Sequence, residues 1–474
     1  MGAVIMVNVA AVFSTLGNPN SLIPLLVKDT AATAGMTTGS MLTGKEEGQD
    51  RLIDEVGTEI IWLCAIPAFK WLFDKTIFKY FGLDSKFDVR NLKNKDIFEK
   101  TKELAPTEEI KKNLDKIAKK QGVFKNLALY KFFFSTGMAI LSYIGLTRAK
   151  QHYTENKIKK NLIVEFNAKK EKEEQEKNNN ATKSNSGGVT FKGVGDVVKY
   201  FAFSPVRNMW VLDGAITTER LADSRTPQEF VGYGIKEAST LCFMYYAGGK
   251  IQDYMEKRAM KKHNRTIGMD ARIIENGNLQ KSFENNSVKK SLADFKNIMD
   301  AYELEKKNTT LTLAKSYKEA QQALKEKYDV KIYEFIHKNP DNDIVKAAKE
   351  SNIISLLEKP KQWYQIFKKA EKTDKIDTRK YIDLEDIKNL YKNVDTLYNQ
   401  YLEALKKGDT TEKFFKQVKK LKRHSILTNI GTCMFALGIV TPAIMLAKRL
   451  VSKDDAEFQT KKEIRQKLIE EGII

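Results

Sequence analysis

A run of 23 residues, SILTNIGTCMFALGIVTPAIMLA, extends from Ser425 to Ala447 without a charged side chain, in a chain where 30% of residues are charged. Lys422, Arg423 and His424 precede it, and Lys448 and Arg449 follow it. Two folds accommodate such a run. A helix of about 20 apolar residues, rising about 1.5 Å each, crosses the roughly 30 Å hydrocarbon core of a bilayer. The alternative is a helix buried on all sides in a soluble core. The Ile, Leu, Val and Phe side chains of the run together contribute about −3 to −5 kcal/mol to insertion, part of which its Thr, Ser, Asn and Pro residues take back. A chain this polar has little other apolar mass with which to bury such a helix, so the run reads as a span with basic flanks.

Three further apolar segments follow the same logic. Lys131–Thr147 has 16 uncharged residues after its lysine, and 22 residues when NLALY before it is included. A lysine near a helix end can snorkel to the headgroups, so this segment also suits a span. Glu59–Phe73 holds an uncharged run of ten residues and Lys236–Lys250 one of 12. Runs of roughly 10–14 residues are more often buried core helices, re-entrant pieces or interfacial helices. The expectation is an all-α integral membrane protein with two to four spans.

Lys and Arg total 81 against 61 Asp and Glu, a net charge of +20, which suits an anionic partner. The densest basic cluster, Lys413–His424, abuts the strongest span, so anionic lipid headgroups fit it better than nucleic acid. Gly and Pro are sparse, at 26 and 9, as helices prefer. Cys64, Cys242 and Cys433 each sit in an apolar stretch and form no C-x-x-C pair, which supports neither a disulfide framework nor structural zinc. They are expected to pack as small apolar residues. The first residues, MGAVIMVNVAAVFSTLG, lack the basic start of a secretory signal and place Met6 where myristoylation wants Ser or Thr. A short packed or interfacial segment is expected there.

KKEKEEQEKNNNATKSNSGG, residues 169–188, is polar throughout except for Ala181 and reads as a flexible linker. It separates an N-terminal half, 1–168, from a C-terminal half, 189–474. The halves resemble each other. Each has an apolar run ending in an aspartate, Asp29 or Asp213. Each then reaches a glutamate followed by Leu-Cys: Glu59, Leu63 and Cys64, or Glu237, Leu241 and Cys242. This pattern suggests a degenerate internal duplication whose unit is short apolar helix, basic helical insert and long apolar helix. Such repeats occur in membrane transport folds and in scaffolds.

The first insert covers about 74–125. Within it a helix is expected to start at Thr107, as an N-cap with acidic residues behind it, and to stop at Gly122. The second insert covers about 251–424. Asp383 to Gly408 reads as one helix with an apolar stripe of Ile387, Leu390, Tyr391, Val394, Leu397 and Tyr401. A second helix is expected to begin with Asp409 as N-cap and Glu412 three residues on, and to run into Ser425. The small residues Thr428, Thr432 and Ala436 recur every four positions, and Ser135, Ala139, Gly137 and Gly145 mark the 131–147 segment. Such residues let helices approach closely in lipid, so these two segments are expected to pack together.

No catalytic constellation emerges. GSMLTGKE, residues 39–46, approaches a phosphate-binding loop but places Glu46 where Ser or Thr should hold Mg²⁺, and no strand precedes it. His152, His263, His337 and His424 lie outside helical spacing of one another and of the cysteines, so no metal site is expected. Glu59 and Glu237, with Lys70, stand near the short apolar segments. They mark either helix ends at an interface or an intramembrane relay, of which the first is the plainer reading. No catalytic, cofactor or metal residue is assigned. The expected function is a non-catalytic, membrane-anchored helical scaffold or assembly protein. The alternative is a transporter or channel-like protein built from a duplicated unit. Expected partners are the membrane and anionic lipid headgroups, with a homo-oligomer or protein partner through the long insert. About 22 Lys and Arg near the span ends on the insert side, against about 14 on the other, lean the inserts towards the cytoplasm.

Overall fold

The computed structural model describes residues 8–18, 21–42, 45–170, 205–222, 224, 227–309, 314–359, 371–452 and 459–474. All of the 169–188 linker beyond residue 170 lies outside the described residues. The described chain is mostly helical, with one short antiparallel pair of strands, Leu356–Glu358 and Lys372–Ile376. It divides into two compact units. Unit 1 comprises 1–19, 74–128 and 251–427, and unit 2 comprises 20–73, 129–250 and 428–474.

Unit 1 is built on amphipathic helices. Leu384–Lys406 begins where the Asp383 carboxylate accepts the Glu385 N–H at 3.1 Å. Its stripe of Ile387, Leu390, Tyr391, Val394, Leu397 and Tyr401 is buried. Gly408, at φ +86°, turns the chain out of the helix, a conformation glycine adopts without a Cβ penalty. The next helix, Thr411–Phe435, is capped by Thr410, whose hydroxyl accepts the Lys413 N–H at 3.2 Å. Asp409, expected as the cap, instead holds the Lys413 ammonium at 2.6 Å. Phe283 fills the space between the two helices, its ring 5.4, 5.3 and 5.2 Å from those of Tyr398, Tyr401 and Phe415.

Glu108–Lys119 is capped by Thr107, which accepts the Ile110 N–H at 3.3 Å, and it buries Ile110, Leu114 and Ile117. The helix breaks at Lys120 and not at the expected Gly122. Lys120 leaves helical geometry at φ −126°, ψ 34°, and its carbonyl then accepts the Phe124 N–H at 2.9 Å, opening the next helix, Gln121–Lys170. Gly122 is therefore an interior residue. The two inserts are joined through Arg379, which pairs with Asp377 at 2.8 Å and Asp84 at 3.2 Å, and whose carbonyl accepts the Asp88 N–H.

Unit 2 gathers the apolar segments. Its helices are Ile23–Met41, Lys45–Phe73, the later part of Gln121–Lys170, Pro205–Ala222, Pro227–Leu241, Thr441–Ser452 and Gln459–Glu470. π-helical turns at Cys242–Tyr246 and Ala436–Val440 carry two of these helix paths onward. The Trp62, Ile66, Ala139, Tyr143, Met209, Leu212 and Leu437 side chains meet in one core. Among the described residues three helices are long and apolar enough to cross a membrane: Arg51–Phe81, Gln121–Phe166 and Thr411–Lys448. The first was expected to be too short. A π turn at Asp74–Phe78 extends it to Phe81, where Gly82 at φ +64° ends it. The 236–250 segment is not among the three.

The fourth apolar segment comes close to Ile23–Met41, where a Cβ on Gly35 would lie 2.1 Å from the Gly438 carbonyl oxygen, and one on Gly438 would lie 2.9 Å from that of Ala31. That helix was not among the expected partners, and Ala139 of the 131–147 segment shares a core with Leu437 of the fourth. Gly39, Ser40 and Met41 form the last turn of that helix, which leaves no phosphate-binding loop at these positions.

Candidate functional site

The apolar unit carries its charges inward. One turn of Lys45–Phe73 presents Arg51, Asp54 and Glu55, with Arg51 3.9 Å from Asp54 and 3.6 Å from Glu55. The i, i+3 and i, i+4 spacing places all three on one helix face. From Gln121–Lys170, Lys150 reaches Asp54 at 3.4 Å, and Tyr143 stands two turns earlier on the same face. From Pro205–Ala222, the Arg220 guanidinium donates to Asp54 at 3.0 Å, to the Thr58 hydroxyl at 3.2 Å and to the Tyr143 hydroxyl at 2.7 Å. It also pairs with Glu237. From Pro227–Leu241, Lys236 contacts Glu55 at 2.8 Å and Glu237 at 3.2 Å.

Four helices thus converge on four cations (Arg51, Lys150, Arg220 and Lys236) and three carboxylates (Asp54, Glu55 and Glu237). The side chains are 3–12% exposed. Charges taken this far from water are tolerable only when paired and hydrogen-bonded. Arg220 meets that condition most fully, because its planar fork serves two carboxylates and two hydroxyls at once.

A second polar layer lies beside the network. Thr33 Oγ1 donates to Glu59 Oε1 at 3.1 Å, and Thr217 Oγ1 donates to Glu237 Oε2 at 3.4 Å. Asp29 and Asp213 stand one helical turn before these threonines, and Tyr245 donates its hydroxyl to Asp213. Lys28 is buried with the Asn429 amide oxygen at 3.4 Å and the Phe243 carbonyl at 3.5 Å.

The structure places the residues singled out from sequence as follows. Glu59 and Glu237 mark no helix end; each lies inside a helix and points at a threonine one helix away. Asp29, Asp213, Glu59 and Glu237 all lie in unit 2. Cys433 is buried, whereas Cys64 and Cys242 are exposed on the protein surface, against the expectation that all three pack inside. Arg51, Asp54, Glu55, Tyr143, Lys150, Arg220 and Lys236 were missed. Their signal was a charged helical face directly beside an uncharged run, as in DRLIDEVGTEIIW.

No group of three or more His, Cys, Asp and Glu residues able to hold a metal occurs among the described residues. In unit 1, Asp343 accepts from the hydroxyls of Ser282 at 2.9 Å, Ser287 at 2.6 Å and Ser291 at 3.3 Å, and no histidine is among these partners. That carboxylate stands in the first turn of Asp343–Glu350 and ties three serines to it. His337 is held by its Nδ1 on the Tyr333 carbonyl at 2.8 Å, and burial pushes its pKa below the usual 6.5. Comparison with known protein families, with curated proteins and with solved structures finds no match to this chain.

Proposed function

We propose that this chain is a multi-pass membrane protein of the scaffold kind, in which unit 2 lies in the bilayer and the helical inserts of unit 1 lie in water. The observation that carries the reading is the distribution of polarity in unit 2. Only 17%, 33% and 33% of the apolar windows of its three long helices are buried. Ile60, Trp71, Leu141, Phe435 and Ile439 are between 57% and 62% exposed. Charged side chains point the other way, into the ionic network. Water penalises such outward apolar faces, and lipid does not.

The network supports a scaffold over a conduit. Its charges are used up on one another across four helices, as in a lock that fixes how the helices pack. In some proteins buried polar groups fix one packing among several. On this reading the protein is non-catalytic, its basic surfaces meet anionic headgroups, and the long insert offers a protein partner or a second copy a docking face. The inserts are assigned to the cytoplasmic side. The transporter or channel-like alternative draws its support from the two Asp–Thr–Glu arrangements, which also support the internal duplication.

Alkaline carbonate extraction tests the membrane assignment: retention in the pellet is expected, and release into the supernatant would overturn it. Reporter fusions in both inserts test their sidedness. Proteoliposomes holding the full chain separate scaffold from transporter, since the scaffold reading expects no ion-dependent flux.

A further inference from the structure

Two long helices of unit 2, Lys45–Phe73 and Gln121–Lys170, lie against each other, and their contacts fix a register. Asp54 meets Lys150 at 3.4 Å, and a Cβ on Gly57 would lie 2.6 Å from Leu146 Cδ2. Further along, the Phe134 ring stands 6.2 Å from that of Phe69 and 5.5 Å from that of Phe73. Moving from Asp54 to Phe73 on the first helix therefore moves from Lys150 to Phe134 on the second. The two run antiparallel, and each level of one has its match on the other.

Their outward faces change character at the same levels. On the first helix every exposed residue from Leu52 to Leu72 is uncharged, and the next exposed residue is Lys75. At about 1.5 Å per residue that stretch is about 30 Å long. On the second helix the exposed residues from Tyr130 to Gly145 are uncharged, and the next is Arg148. At one end of the stretch Trp71, 62% exposed, lies between Phe69 and Phe73, and Tyr130, 57% exposed, stands one turn before Phe134. At the other end Arg148 lies between Leu146 and Lys150, at the level of Gly57 and Asp54. The ionic network occupies that level, with Arg220 3.0 Å from Asp54 and Lys236 2.8 Å from Glu55.

We propose that the hydrocarbon core of a phospholipid bilayer covers unit 2 between these two levels. The ionic network then stands at the headgroup level of one leaflet, and Trp71 and Tyr130 stand at that of the other. The length of the uncharged face matches the roughly 30 Å of a hydrocarbon core. Trp and Tyr are the side chains that favour the membrane–water interface. Charge is far less costly near the headgroups than at the midplane, and Arg148, on the outward face, meets the lipid phosphates there. The inference rests on the reading of unit 2 as a membrane unit and adds where its boundaries fall. Ile60 and Cys64 on one helix, and Leu141 on the other, lie in the middle of the covered stretch.

The test uses the full chain in vesicles of phosphatidylcholine and phosphatidylglycerol. Leu52→Cys, Ile60→Cys, Leu72→Cys, Leu141→Cys and Arg148→Cys, each made with Cys64→Ser and Cys242→Ser, carry a nitroxide spin label. All five positions are exposed. Depth is read from collisions with oxygen, which concentrates among acyl chains, against collisions with a water-soluble nickel chelate. Labels at Ile60 and Leu141 should be the deepest and nearly equal. Those at Leu52, Leu72 and Arg148 should be shallower by about 10–12 Å, the helical rise over the intervening residues to the nearer boundary. Each helix reports the boundary at the network level by itself, so either serves if a variant on the other does not fold. A label at Leu52 or Arg148 as deep as that at Ile60 would place the network among the acyl chains. That result would overturn the proposal and leave unit 2 in the membrane. Equal nickel access at all five positions would overturn both this proposal and the membrane reading.

Discussion

Replacing Arg220 with methionine is the sharpest perturbation of the ionic network. The side chain keeps its bulk and loses the guanidinium that touches Asp54, Glu237, Thr58 and Tyr143. Each stranded carboxylate retains another cation. Asp54 keeps Lys150 at 3.4 Å and Arg51 at 3.9 Å, and Glu237 keeps Lys236 at 3.2 Å. The cost is therefore that of breaking one buried pair, about 3–5 kcal/mol, and not the sum of two. The assay is reversible unfolding of the purified protein in mixed micelles, with the parent and variant compared at matched detergent. A double-mutant cycle with Tyr143→Phe isolates the guanidinium–hydroxyl contact, because residues sharing a network are coupled by about 0.5–3 kcal/mol. Raising the salt should leave the difference nearly unchanged, since buried charges are weakly screened. A loss below about 1 kcal/mol, the range of exposed pairs, would refute the reasoning by showing that water reaches these groups.

Three further outcomes follow from other parts of the fold. Gly35→Ala should destabilise unit 2 by about 1–3 kcal/mol through overpacking, because the new methyl meets the Gly438 carbonyl and has no flexible side chain to displace. Gly145→Ala, which meets nothing, is the matched control in the same unfolding assay. Phe283→Ala should cost about 3–5 kcal/mol in unit 1, read from denaturant unfolding, since three rings close on that side chain. His337 sets a pH dependence. Burial, reinforced by Lys349, lowers its folded pKa below 6.5, so the unfolded chain takes the proton first as pH falls. Its stabilising share is complete above 6.5 and is lost as pH drops through the lowered folded value. His337→Phe should flatten the fall in thermal midpoint below that pH, and an unchanged profile would show that other groups dominate.

Much of the helical architecture was legible because periodicity and capping are local. The Ile387–Tyr401 stripe and the Thr107 and Asp383 caps are fixed by residues within a turn or two of each other. Failures fell where geometry overrides composition. A one-residue choice between Asp409 and Thr410 depends on which side chain reaches the Lys413 amide, and Asp409 is drawn instead to the Lys413 ammonium. The 51–81 helix looked too short because Glu59 and Lys70 bound its uncharged run of ten residues, yet the helix continues through both. The ionic network was the least legible part. Asp54 and Arg220 are 166 residues apart, and neither has a local pattern that distinguishes a buried charge from a solvated one. Repetition of the Asp and Glu positions was visible in sequence, while the threonine that donates to the glutamate in each hairpin was not.

The most direct test of the membrane assignment uses the native cysteines in unbroken membranes. Cys64 and Cys242 are exposed on the protein surface, and Cys64 lies inside the 51–81 helix. With unit 2 in lipid, Cys64 should resist a charged, water-soluble maleimide until detergent is added, and then react. Rapid labelling of Cys64 before detergent, at the rate of a cysteine in open water, would place that helix face in solvent and contradict the account.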